Sequence, residues 1–89
     1  MLLPCQVFVK ADDVIETSYW TEFVIDMTMI EFIEQPYEDK LPIINQSIIG
    51  LKSGQSVLTD IPFYQLRDIW AKFKSDQFYA AFNSFTRYN

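Results

Sequence analysis

Apolar and polar residues alternate loosely over residues 5–10, Cys-Gln-Val-Phe-Val-Lys, which is the two-residue period of a strand. Ala11-Asp12-Asp13 then reads as a turn. Residues 14–21 are rich in Val, Ile, Thr, Tyr and Trp, so they are expected to be extended. Residues 22–25 read as a second strand. Asp26 is placed to cap a tight turn or a single 3₁₀ turn by accepting backbone N–H groups. A strand resumes over residues 30–35, and residues 35–45 form a loop with Pro36 and Pro42 at its ends, or Pro42 stands at a strand start.

The stretch IIGLKSGQSVLTDIP, residues 48–62, holds both glycines of the chain. Residues 47–52 and 55–60 read as a hairpin around Ser53-Gly54, with Leu51 opposite Ser56 and Ile49 opposite Leu58. That register puts Ile49, Leu51 and Leu58 on a core face, and Lys52, Gln55 and Thr59 with Ile48 and Val57 on a wetter one. Gly54 is expected to supply a positive φ in the turn, and Gly50 to relieve crowding or mark a bulge. The segment is not a phosphate loop. Its glycines are separated by three residues rather than four, Gln55 stands where the lysine belongs, and a strand rather than a helix follows.

Helical spacing begins after Asp60-Ile61-Pro62, where proline suits a first turn. Asp60 would place a carboxylate at the helix start and make it a poor anion site. Phe63, Leu66, Ile69, Trp70 and Phe73 make one apolar stripe, and Phe78, Ala81, Phe82 and Phe85 make another. The five-residue step from Phe73 to Phe78 predicts a bend or break near Ser75. The expected fold is therefore α+β, in one domain spanning residues 1–89. An antiparallel meander of four or five strands fills residues 1–60, and a C-terminal helix follows over residues 62–86.

Composition narrows the chemistry. The 89 residues are 49% hydrophobic and 17% aromatic, which argues against disorder. There is no histidine, so Ser-His and Cys-His nucleophile pairs are excluded, as is the commonest metal ligand. The single cysteine, Cys5, cannot form an intrachain disulfide and reads as a buried strand residue. Neither a signal peptide nor an 18-residue apolar run is visible, so the expected location is cytoplasmic. No catalytic constellation and no cofactor motif appears. Glu31, Glu34, Glu38 and Asp39 form the densest carboxylate group, but Glu31 and Glu34 fall on opposite faces of a strand, which favours a solvated acidic edge over a metal site.

The net charge of −5 is unevenly spread. Residues 1–39 carry −8 and residues 40–89 carry +3. An acidic face steers a basic partner and repels nucleic acid. The C-terminal stretch is the distinctive feature, because Trp70, Phe73, Phe78, Tyr79, Phe82, Phe85 and Tyr88 are too many rings for one face of a small sheet. Trp70, Phe78, Tyr79, Phe82, Phe85 and Tyr88 are the candidate contacts for a protein partner or for self-association. Arg67, Lys72, Lys74 and Arg87 are the candidate anion-binding set of an alternative, in which a homo-oligomer sequesters a small nucleotide.

Asp26-x-x-x-Ile30-Glu31-x-Ile33-Glu34, a loop, then Leu51-Lys52-Ser53-Gly54 and Ser56-Val57-Leu58-Thr59 resemble the small FlbD/SwrD-type flagellar accessory proteins over about residues 23–69. The resemblance implies a meander-plus-helix fold and a link to motility. The chain departs from that pattern in a longer spacing after Asp26, a long segment before Phe23 and an aromatic C-terminal extension. No functional residue carries over. The expected function is that of a small non-enzymatic regulator or inhibitor of a larger protein, bacterial or phage-encoded.

Overall fold

Residues 2–11 form a strand that is paired on both sides within a curled sheet. A computed structural model describes the backbone of residues 1–11 and 14–86 and the side chains of residues 1–9 and 18–79. The strands are β1 (Leu2–Ala11), β2 (Val14–Asp26), β3 (Ile30–Glu34), β4 (Tyr37–Glu38), β5 (Leu41–Pro42), β6 (Ser47–Leu51) and β7 (Ser56–Thr59), and one helix follows, α1 (Phe63–Thr86). The expected α+β class holds: five antiparallel strands form one sheet in the order β2-β1-β7-β6-β3, and β4 and β5 form a small second sheet.

Residues 14–25 are one long strand that pairs with β1 from Leu2↔Asp26 to Ala11↔Val14. The Asp12-Asp13 corner lies outside the described residues. Asp26 caps a 3₁₀ turn, Met27–Met29, as its position suggested: Oδ1 accepts from the Thr28 N–H at 3.0 Å and from Thr28 Oγ1 at 2.8 Å.

That turn joins β2 to β3, the two edges of the sheet. In a flat five-stranded sheet the edges would stand about 19 Å apart. The four steps from Asp26 to Ile30 reach at most about 14 Å. The sheet therefore curls almost into a barrel, with β1 meeting β7 at Val7↔Thr59. The turn is tied on both sides: Met27 N–H donates to the Met1 carbonyl and Lys52 N–H to the Met29 carbonyl, each at 2.9 Å.

The concave side holds the core, Leu3, Ile25, Met27, Ile30 and Ile49, and α1 closes it with Leu66 and Phe73. Met27, Ile49 and Leu66 are fully buried. Ile69 and Trp70 pack at the margin of this cluster, so the first apolar stripe of the helix is its core face.

The β6–β7 register differs by one residue from the sequence expectation. Gly50 pairs with Ser56, Ile49 with Val57 and Ile48 with Leu58. The loop has three residues rather than two: Leu51 N–H donates to the Gln55 carbonyl, Gly54 N–H donates to the Leu51 carbonyl, and Gly54 has φ +94°. This is a type I turn closed by a left-handed glycine. The slip moves Val57 and Thr59 to the inner face beside Ile49 and moves Leu58 to the outer face, because a one-residue shift exchanges faces. Gly50 does relieve crowding: a Cβ there would enter the ring of Phe32, its partner on β3, and the ladder shifts register beside it.

Two further expectations are corrected. The 35–45 loop contains the β4–β5 hairpin, with Pro42 in a strand as the alternative reading had it, and its turn places Asp39 and Lys40 at φ 51° and 66°. The helix is not broken near Ser75 but runs from Phe63 to Thr86. No glycine or proline interrupts it, and five residues at 100° each rotate the aromatic stripe by about 140° without disturbing the backbone. The molecule is elongated, with a radius of gyration of 16.0 Å against about 12 Å for a compact domain of this length.

Candidate interaction surface

Two buried hydroxyls fix where the sheet hands over to the helix. Ser47 and Thr59 face one another across β6 and β7. Ser47 Oγ donates to the Ile61 carbonyl at 2.5 Å, and the Ile61 N–H donates to Thr59 Oγ1 at 3.4 Å. Asp60 is not spent on the helix start. Its carboxylate Oδ1 accepts from the Gln6 N–H at 3.0 Å, while its own N–H donates to the Gln6 carbonyl at 3.1 Å, so it prolongs the β1–β7 seam. The first helical turn closes instead on the Pro62 carbonyl, which accepts from the N–H groups of Gln65 and Leu66, each at 3.0 Å.

With its direction fixed in this way, α1 leaves the core after Phe73. Residues 74–79 are all exposed, Phe78 at 66% and Tyr79 at 62%, and their rings meet edge to face with centroids 5.9 Å apart. Trp70 divides its role. Its ring packs against the core, its Nε1 is buried without a hydrogen-bond partner, and Lys74 Nζ lies 5.6 Å from the ring centroid. The side chains of Phe82, Phe85, Arg87 and Tyr88 lie outside the described residues. Arg67 and Lys74, seven residues apart, share one side of the helix, whereas Lys72 is rotated well away from them. Arg67 Nε contacts its neighbour Asp68 at 3.3 Å, and both side chains are well exposed. Arg67, Lys72 and Lys74 of the anion-binding alternative are thus spread along and around the helix rather than gathered on one side.

The start of the helix borders an open groove of about 830 Å³ that sequence reading had not indicated. Its apolar walls are Pro4, Phe23, Val24, Ile61 and Pro62, and its polar groups are Gln6, Gln65 and the carboxylates of Glu22 and Asp60. Among the described residues no lysine or arginine lines it. Cys5 sits here half-buried, and burial, followed by the negative charge of Asp60, raises its thiol above the ordinary range. A thiol held protonated is a poor nucleophile, consistent with a structural residue.

A second exposed apolar patch rides on the β4–β5 loop, where Tyr37, Leu41 and Ile44 are 64%, 70% and 69% exposed. The loop is clasped at its base. Gln35 Nε2 donates to the carbonyls of Pro36 at 3.0 Å and Ile43 at 2.8 Å, and Ile43 N–H donates to the Pro36 carbonyl at 2.9 Å. Only the two prolines hinted at this structure in the sequence. Glu31 and Glu34 are exposed on the edge strand β3, and among the described residues no three His, Cys, Asp or Glu side chains converge as metal ligands. Among the described residues no helix is long and apolar enough to cross a membrane. The chain matches no model of a known family, no curated protein and no solved structure.

Proposed function

We propose that this chain is a small non-enzymatic interaction module that regulates or inhibits a larger protein by docking helix α1 against it. The observation that carries this reading is the exposure of residues 74–79, with Phe78 and Tyr79 presented to solvent. Most helical stability in proteins comes from packing an apolar face rather than from propensity. A helix that outruns its own core and carries aromatic rings has a face suited to a partner's groove. Phe82, Phe85 and Tyr88 extend the same aromatic run, and aromatic residues are the common anchors of protein interfaces.

The test is capture from host extract by the immobilised full chain, quantified by mass spectrometry. A saturable partner should bind the natural sequence and be lost with Phe78→Ala/Tyr79→Ala. Circular dichroism should show the variant still folded, because exposed positions cost little stability, within about 0.5 kcal/mol each. Equal capture by both chains overturns the reading.

A further inference from the structure

The two edges of the five-stranded sheet are built differently. β3 is five residues long, its ladder with β6 slips between Ile30 and Phe32, and Glu31 and Glu34 stand exposed on it. Short length, a bulge and charge are the usual means of keeping an edge from pairing. β2 is 13 residues long, carries no proline or glycine, and holds an unbroken register with β1 from Tyr19 to Asp26. Among the described residues no strand pairs with its other side. Alternate N–H and C=O groups along β2 therefore point away from β1 and are open to a further strand.

Charge selects what that strand can be. β2 carries Glu16, Glu22 and Asp26 and no basic residue. Two β2 strands would meet as like charges, so a second copy is the wrong occupant and a basic strand is the right one. The side chains refine the choice. Tyr19 and Phe23 lie on the same face as Ile25, Trp20, Glu22 and Val24 lie on the convex face, and all but Ile25 are exposed. Trp20 is set edge to face on Phe8, with ring centroids 5.5 Å apart. A strand laid beside β2 sends its own alternate side chains to the same two faces.

We propose that the free edge of β2 takes an extended basic segment of another protein as a further strand of the sheet. The segment alternates Lys or Arg with apolar residues. Its basic row meets Glu22 and the ring of Trp20 on the convex face, and its apolar row meets Tyr19 and Phe23 on the other. Backbone hydrogen bonds supply the affinity, and the alternation supplies the specificity. This surface is separate from α1, so the inference does not rest on the docking of the helix.

The probe is an acetylated, amidated peptide of about eight residues that alternates Arg and Val, long enough to span about 27 Å of strand. Titrated into the isotopically labelled full chain and followed by NMR, it should bind saturably in low salt and slow the exchange of alternate β2 amides. Raising the ionic strength to about 0.5 M should weaken binding several-fold. Glu22→Lys should weaken it by about tenfold, and Phe78→Ala/Tyr79→Ala should leave it unchanged. Two versions of the peptide, N-methylated at every second residue in the two possible phases, separate strand pairing from charge attraction. One phase removes the donors that face β2 and should lose at least about tenfold, while the other should still bind. Absence of binding overturns the proposal, as does equal binding by both methylated versions or by a peptide with Glu in place of Arg. Protection confined to residues 60–65 overturns it by placing the peptide in the groove. So does a dimer of the chain alone in which the β2 amides are already protected, since the edge then belongs to a second copy.

Discussion

Ser47 and Thr59 stand directly opposite each other in β6 and β7, both with no exposed surface, and together they hold Ile61 at the entrance to the helix. Thr59 Oγ1 also donates to the Ser47 carbonyl at 3.5 Å, so the pair forms one small network. Removing one member leaves a buried group unpaired, which costs about 1–3 kcal/mol. Ser47→Ala and Thr59→Val should each lower the urea midpoint by a corresponding amount. The double variant should cost less than the sum of the two, as coupled neighbours do.

Gly50 and Phe32 form a cross-strand pair in which the ring lies over the glycine. Gly50→Ala drives a methyl group into that ring, and overpacking of this kind costs about 1–3 kcal/mol. Combining it with Phe32→Ala should recover much of the loss, since the new methyl group then has room. Thermal melts of the single and double variants distinguish this steric account from a general intolerance of alanine in β6.

Asp26 accepts two hydrogen bonds from Thr28, and the backbone bond followed by the side-chain bond lowers its pKa below the ordinary carboxylate value. A carboxyl whose folded pKa is depressed stabilises the fold above its unfolded pKa, about 3.9. That contribution disappears as pH falls through the lower folded value. Asp26→Asn keeps an accepting oxygen but does not titrate there. The stability difference between the natural chain and this variant should therefore shrink on acidification from pH 7 to about pH 2, as followed by thermal melts.

Cys5 should alkylate slowly in the native state. Its raised pKa leaves less thiolate at pH 8 than an ordinary thiol, whose pKa is about 8.5, would have. Iodoacetamide should label it severalfold more slowly than free cysteine, and denaturation in urea should restore the ordinary rate.

The sequence made local order visible and long-range order opaque. Alternation located β1, a run of strand-favouring residues located β2, Asp26 announced its turn, and Gly54 marked the hairpin tip, because each of these depends on a few neighbouring residues. The β6–β7 register was misjudged because a three-residue loop ending in a left-handed glycine and a two-residue loop share the same letters. Its cost was specific, since Thr59 and Val57 changed faces. The curl of the sheet depends on Val7 meeting Thr59, a relation between residues 52 positions apart that periodicity does not encode. The groove was hidden for the same reason, as Glu22 and Asp60 come together only by flanking Gln6 on the two sides of β1. The surplus of rings was legible from counting, and the exposure of Phe78 and Tyr79 shows where the two described ones go. The helix passes Ser75 without a break because a rotated stripe is compatible with continuous helical backbone.

The seam between β1 and β7 is short: one ladder pair, Val7↔Thr59, and the two bonds that join Gln6 to Asp60. Every other junction of the sheet has at least four paired positions. A curled sheet opens where its staves are least joined, and here that hinge would release β1 and β2 as one flap swinging on the Met27–Met29 turn. Amide exchange should therefore be uneven across β7 and its extension. The N–H of Asp60, bonded across the seam, should exchange ahead of the N–H groups that β7 directs toward β6.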